Sequence, residues 1–220
     1  MDTAVALVQA YLQINGYFTV VEYPVLEASW SGPARTVTDL DVLAFRFAGA
    51  GHQVIRRHGH QDGAREFEPD PALGCPTGRP DMIVGEVKEG AARFNAATQD
   101  PEVLRSALAR FGCCDPAHAG ELARTLLARG RVDAPSGHVI RMVAFGAVAD
   151  GNSSGQWHTV PMHHVVDFVR TYLRRHWHVL RHAQIKDSTL GLLALLEKWG
   201  TAQPSIPIGG GSASAARRSG

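Results

Sequence analysis

Four charged residues sit inside stretches that otherwise read as β-strands: Asp39 and Asp41 in TDLDVLA, Glu86 and Lys88 in MIVGEVK. Side chains along a strand alternate between faces, so residues two apart share a face. Burying such charges costs several kcal/mol each unless they are paired or bind a metal. Carboxylates converging from neighbouring strands make a hard, oxygen-rich site. That site suits Mg²⁺ or Mn²⁺, which take one or two protein carboxylates, keep several waters and accept phosphate oxygens. A lysine two residues after a metal-binding glutamate falls beside the ion. There it orients or deprotonates an attacking water, or neutralises charge building on a phosphate. Asp41, Glu86 and Lys88 therefore form the candidate catalytic set for metal-assisted phosphodiester hydrolysis. The bland alternative is an exposed ion pair between Glu86 and Lys88, of little energetic weight. Asp39 reads equally well as a second metal ligand or as a turn cap at a strand end.

The elements that must position these residues follow from periodicity. Residues 3–14 carry Ala4, Leu7, Val8, Tyr11 and Leu12 at helical spacing, and Asn15-Gly16 ends the helix. YFTVVEYPV (17–25) is aromatic and β-branched and predicts a strand, as do 36–47 and 82–88. The stretch 48–80 is rich in Gly, Pro, His and charge, and reads as a long insertion with a short extended piece at 52–57. Helices are expected at about 101–111, capped by Asp100 and opened by Pro101, and at about 117–129, closed by Gly130. HVIRMVAFGAV (138–148) predicts a strand buried on both faces. A loop at 149–156, a long helix at 161–182 and a short apolar helix at 187–199 complete the order α-β-β-β-α-(α)-β-α-α, an α/β protein with a mixed sheet flanked by helices. The tail 201–220 is of low complexity and expected to be disordered.

With Asp41 in TDLDVLA, Glu86-Val87-Lys88 in IVGEVKEG and the helix–Gly–strand entry YLQINGYFTVVEYPV, residues 3–150 resemble the PD-(D/E)xK nuclease superfamily. The resemblance implies a restriction-endonuclease-like αβββαβ core over 1–150, interrupted at 48–80 and extended by C-terminal helices over 151–200. It implies that Asp41 and Glu86 ligate Mg²⁺ or Mn²⁺, that the Val87 carbonyl is a further ligand and Asp39 an assisting one, and that Lys88 positions the nucleophile. The Pro80-Asp81 dipeptide stands too near Glu86 to supply the first acid, so that role falls to Asp41. The implied partner is nucleic acid, DNA ahead of RNA. The alternative function is a catalytically inactive binding or interaction module on the same scaffold.

Other features frame these expectations. A formal net charge of +1 over 220 residues gives no global signal for nucleic acid, so any basic face must be local. Arg56, Arg57, His58, His60 and Arg65 in the insertion could contact phosphates, or belong to a solvated loop balanced by Glu66, Glu68 and Asp70. The helix VVDFVRTYLRRHWHVLRH opposes an apolar stripe with Arg170, Arg174, Arg175 and Arg181, a phosphate-binding face or simply a solvated one. His178 and His182, four apart, lack an acidic third ligand; Cys75, Cys113, Cys114 and His118 could assemble zinc, or the cysteines serve as small apolar side chains. Three cysteines, two of them adjacent, do not resemble a secreted disulfide framework. No signal peptide and no apolar run of membrane-spanning length is visible, so the expected setting is a reducing cytoplasm. The apolar DSTLGLLALLEKWG either packs on the sheet or forms a homodimer interface.

Overall fold

The structure is a computed structural model that describes residues 2–27, 35–55, 63–66, 68–147, 156–182 and 184–200. Helix α1 (Thr3–Ile14) starts where the Asp2 carboxylate accepts from the Ala4 N–H at 2.7 Å, and stops at Asn15-Gly16, where Gly16 adopts φ +84°. Strands β1 (Phe18–Glu27) and β2 (Arg35–Arg46) follow, then a separate antiparallel hairpin of β3 (His52–Ile55) and β4 (Gly63–Glu66), a 3₁₀ turn at Pro71–Leu73, and β5 (Asp81–Ala91). Helices α2 (Pro101–Arg110) and α3 (Pro116–Arg129) begin alike: an aspartate cap, Asp100 or Asp115, followed by a proline. The chain then runs through β6 (Arg131–Asp133), β7 (Val139–Ala147), β8 (His158–Pro161), α4 (Met162–Arg175), α5 (Trp177–Leu180) and α6 (Ser188–Gly200).

Six strands form one mixed sheet in the order β1-β2-β5-β7-β6, with β8 also on β7. The first three are an antiparallel meander; β5 then pairs β7 in parallel after a crossover through α2 and α3. Helices cover both faces. Met82 and Val84 of β5 and Ile140 and Met142 of β7 pack against α2 and α3, while Ile83, Val143 and Phe145 point to the layer of α1, α4 and α6. This two-sided burial explains the continuous apolar run of β7. Gly85 belongs to the same tight packing, since a Cβ there would collide with a Val42 methyl. Among the described residues no helix is long and apolar enough to cross a membrane.

The expected elements are present with ends shifted by a few residues, and three differences are informative. The long helix expected over 161–182 breaks at His176, with no glycine or proline to announce it. Strands β6 and β8 are three and four residues long, too short for a periodic signal, and the sequence pattern assigns neither of them. The stretch 48–80 is more structured than a long insertion suggests. Beyond the hairpin, Asp70 and Leu73 are buried. Asp70 accepts from the Tyr11 hydroxyl at 2.7 Å, pairs with His164 at 2.7 Å, and takes its own N–H to the Asn15 side chain. The segment 68–80 thus stitches α1 to α4.

Asp81, at the start of β5, is fully buried and doubly bonded to Arg141 (Nε–Oδ1 2.9 Å, Nη2–Oδ2 2.7 Å), with the Tyr17 hydroxyl at 2.5 Å. Burial, then the Asp81 charge, pushes the Tyr17 phenol far above its ordinary pKa, so it stays a donor. Breaking one side of a buried pair leaves an uncompensated charge. Arg141→Met is therefore expected to destabilise the protein by about 3–5 kcal/mol, read from the urea midpoint at constant slope.

Candidate active site at the end of β5

The ladder between β2 and β5 runs from Arg46↔Asp81 to Val42↔Gly85 and stops there. The parallel ladder with β7 is regular only as far as Val87↔Phe145, then shifts register. Strand β5 therefore leaves β2 after Gly85 and β7 after Val87, and on the β2 side a side chain takes over from the ladder. Asp41 Oδ2 accepts from the Val87 N–H at 2.7 Å. The alternation of β2 also slips here: Leu40 and Leu43, three apart, both bury in the α2–α3 core. Opposite Asp41, between the pairs Val21↔Val42 and Tyr23↔Leu40, lies Glu22 with φ +50°, the one non-glycine residue of positive φ among the described residues.

Glu86 has a side chain only 1% exposed, yet it carries three polar contacts. Oε1 meets Lys88 Nζ at 2.5 Å and Asn95 Nδ2 at 2.8 Å; Oε2 accepts from the Thr98 hydroxyl at 2.9 Å. Asn95 and Thr98 come from the turn leading into α2, where Asn95 Oδ1 accepts from the Thr98 N–H at 2.7 Å and so locks both donors in place. Lys88 Nζ also lies 3.7 Å from Asp41 Oδ2, so one ammonium serves two carboxylates. Burial works against the charged lysine, but the hydrogen bond and charge of Glu86, then Asp41, outweigh it and hold the Lys88 pKa above its ordinary value. Asp41 is pushed up, first by burial; the Val87 N–H opposes this, Glu86 adds to it and Lys88 opposes it again.

Beside the triad opens a polar cavity of about 600 Å³ lined by Asp2, Glu22, Asp39, Asp41 and Glu89, with Lys88 its one cationic side chain. Five carboxylates around one ammonium make a strongly negative concavity that attracts cations. Asp2 reaches it from the cap of α1, its N–H bonded to Glu22 Oε1 at 2.9 Å. Among the described residues no group of three or more His, Cys, Asp or Glu side chains is placed to hold a metal ion. An ion that takes one or two carboxylates and keeps its waters, as Mg²⁺ does, would need no more than Asp41 and Glu86; these residues do not make a tetrahedral zinc cage.

The structure thus brings Asp41, Glu86, Val87 and Lys88 together and places Asp39 on the same cavity. Glu22, Glu89 and Thr98 carried no sequence signal, because their neighbourhood depends on pairing across β1, β2 and β5. Of the polar residues after β5, Asn95 reaches Glu86, whereas Gln99 turns back to the Phe94 and Asn95 carbonyls. Arg56, Arg57, His58 and His60 lie outside the described residues. Arg174 and Arg170 are both engaged with Glu197 of α6, at 2.8 and 2.5 Å, and knit α4 to α6; Arg175 is exposed on the same helix. On α6 itself Leu190, Leu193 and Ala194 pack inward, while Leu192, Leu195, Leu196 and Trp199 are exposed. Cys75 contacts the Tyr17 hydroxyl, and Cys113 contacts Met82 Sδ in the other core layer, so the cysteines do not converge.

Fold and site together define an α/β protein with a six-stranded mixed sheet and an acidic, lysine-bearing cleft at the end of its central strand. Compared with known proteins, the chain matches no family model, no curated protein and no solved structure.

The raised Asp41 pKa has a signed consequence. A carboxyl whose folded pKa exceeds its unfolded value binds more protons when folded, so its contribution to stability is present at low pH and lost as pH rises through the folded value. Asp41→Asn keeps an acceptor for the Val87 N–H and removes that loss. The stability of the variant minus that of the native chain should grow as pH rises from the ordinary carboxylate range, about 3.9, towards neutrality. Urea titrations at several pH values measure it.

Proposed function

We propose that the chain is a metal-dependent phosphodiester hydrolase acting on nucleic acid, built on a restriction-endonuclease-like core. One observation carries the reading: Asp41, Glu86 and Lys88, from two adjacent strands, meet at one point beside an open acidic cavity. The topology supports it. A helix, a three-stranded antiparallel meander, a helical crossover and a parallel strand follow in the order that the sequence resemblance implies.

In this reading Glu86 and Asp41 hold Mg²⁺ or Mn²⁺, with Asp39 on the same cavity wall. The ion would supply Lewis-acid activation and neutralise charge on the phosphate. The chain's own residues divide the remaining work. Lys88 acts as donor and clamp: it orients a water and stabilises a phosphoryl oxygen. Asp41, which accepts from the Val87 N–H, would present its carboxylate to the ion from the neighbouring strand. Asn95 and Thr98 fix the Glu86 carboxylate so that its geometry survives when Lys88 turns towards substrate.

A specific observation favours the second reading, an inactive binding module: Lys88 already sits between the two carboxylates as their counter-ion. Incubating the protein with plasmid, single-stranded DNA and RNA under Mg²⁺, Mn²⁺ or EDTA separates the two. Metal-dependent cleavage should fall by about 10²–10³ in both Glu86→Gln and Lys88→Met. Cleavage that persists in both variants removes the assignment. Nucleic-acid binding without cleavage, in a protein whose Tm rises with Mg²⁺, selects the binding module.

A further inference from the structure

Helix α6 carries apolar side chains on two opposite faces. Towards the protein, Leu190, Leu193 and Ala194 join the core layer of α1 and α4, and Glu197 is buried as the partner of Arg170 and Arg174. Towards solvent, Leu192, Leu195, Leu196 and Trp199 remain 58%, 50%, 57% and 60% exposed. A helix on the surface of a single chain needs one apolar stripe, and one that is apolar all round is ordinarily buried. A lone exposed leucine needs no explanation, but four large apolar side chains on one face of one helix mark an interaction surface.

The spacing of the outer four says which partner fits. They stand at i, i+3, i+4 and i+7, the row by which one helix packs along another. The row reads the same from either end, since the step from Leu192 to Leu195 equals the step from Leu196 to Trp199. A two-fold axis crossing between Leu195 and Leu196 therefore sets Leu195 against Leu196 of an antiparallel second copy, and Leu192 against its Trp199. Every apolar side chain of the row meets another, which is the self-complementarity that a two-fold interface requires. Antiparallel helices also oppose their dipoles. The charged residues of the helix, Glu197 and Lys198, stand outside the row, so the row itself offers no charge to a nucleic acid or an acidic segment. Closing the four residues against their counterparts removes on the order of 1,000 Å² from water over both copies, the lower limit of a specific interface. A contact of that size makes a dimer that exchanges with monomer rather than an obligate one.

We propose that the outer face of α6 is a self-association surface, on which two copies of the chain pair through an antiparallel α6–α6 contact centred between Leu195 and Leu196. None of the four residues lines the acidic cavity, so the contact stands or falls independently of the hydrolase reading.

Sedimentation velocity of the full chain between about 1 and about 300 μM tests it, since monomer should give way to dimer as concentration rises. Leu195→Glu should weaken the dimer at least about thirtyfold, as expected for a charge placed at the centre of an interface. Its far-UV circular dichroism should match that of the native chain, because Leu195 is no part of the core. Should it fail to fold, Leu192→Glu, one turn from the centre, asks the same question. The double variant Leu195→Glu/Leu196→Lys faces each new glutamate with a lysine of the other copy, and should recover about tenfold of the loss. In a parallel pair the same two changes would oppose like charges and recover nothing. A chain that stays monomeric at the highest concentration, a dimer indifferent to the single substitutions, or a double variant no tighter than Leu195→Glu overturns the proposal. So does a monomer that sediments with vesicles of phosphatidylcholine, which would assign the face to a lipid surface.

Discussion

A carboxylate closed off from water must be surrounded by donors, and Glu86 imposes that constraint on everything at the end of β5. Desolvating such a charge costs several kcal/mol, which neither neighbouring strand can offset with ladder hydrogen bonds, because those are already committed to backbone groups. The structure meets the demand with three side chains from two sources: Lys88 two residues on, and Asn95 and Thr98 from the turn into α2. That arrangement requires β5 to separate from β2 after Gly85 and to break register with β7 after Val87. The opening between strands, the acidic cavity and the placement of Asp41 all follow from the separation.

The same strand carries a second buried carboxylate, and the comparison separates a fully enclosed charge from one beside an open cavity. Asp81 is enclosed on every side: both oxygens are taken by Arg141, and Tyr17 closes the remaining approach. Nothing outside the protein can reach it. Glu86 shares its lysine with a half-buried partner, Asp41, which borders an open cavity, and the lysine itself is partly exposed. A charge meant only to be stable is better matched by a fixed, planar, bidentate arginine than by a mobile ammonium. The use of lysine at one end of β5 and arginine at the other is the physical distinction on which the proposed function rests.

Much of this was legible in the sequence, for reasons that differ by element. Asn15-Gly16, Asp100-Pro101 and Gly130 are local stop and start signals, and the helices they bound are where they predict. Asp41 and Glu86-Lys88 stood out because charge interrupts an apolar strand. By contrast, the packing of 68–80 depends on partners 55 to 94 residues away, such as Asn15 and His164, and no local pattern encodes it. The pairing of Arg170 and Arg174 with Glu197 is equally invisible to a helical wheel, which registers only that one face of α4 is basic. Thr98 and Glu22 escaped for a third reason: each is an ordinary residue in an ordinary stretch, and only the register of a neighbouring strand gives it a role.

Glu22 shows how far the site shapes the sheet around it. A glutamate at φ +50° is strained by about 1–3 kcal/mol, and such strain persists only where the surroundings over-determine it. Here they do. Val21 and Tyr23 are held in register on either side, and the Glu22 carboxylate accepts from the Asp2 N–H at the start of α1. A regular extended Glu22 would close the gap in the β1–β2 ladder at Asp41 and keep the inside–outside alternation of β2 intact. The kink instead coincides with the slip that lets Leu40 and Leu43 bury together and sends the Asp41 side chain to the Val87 N–H. The distortion of β1, the slip of β2 and the departure of β5 are therefore one feature seen on three strands, and its outcome is two carboxylates sharing one lysine.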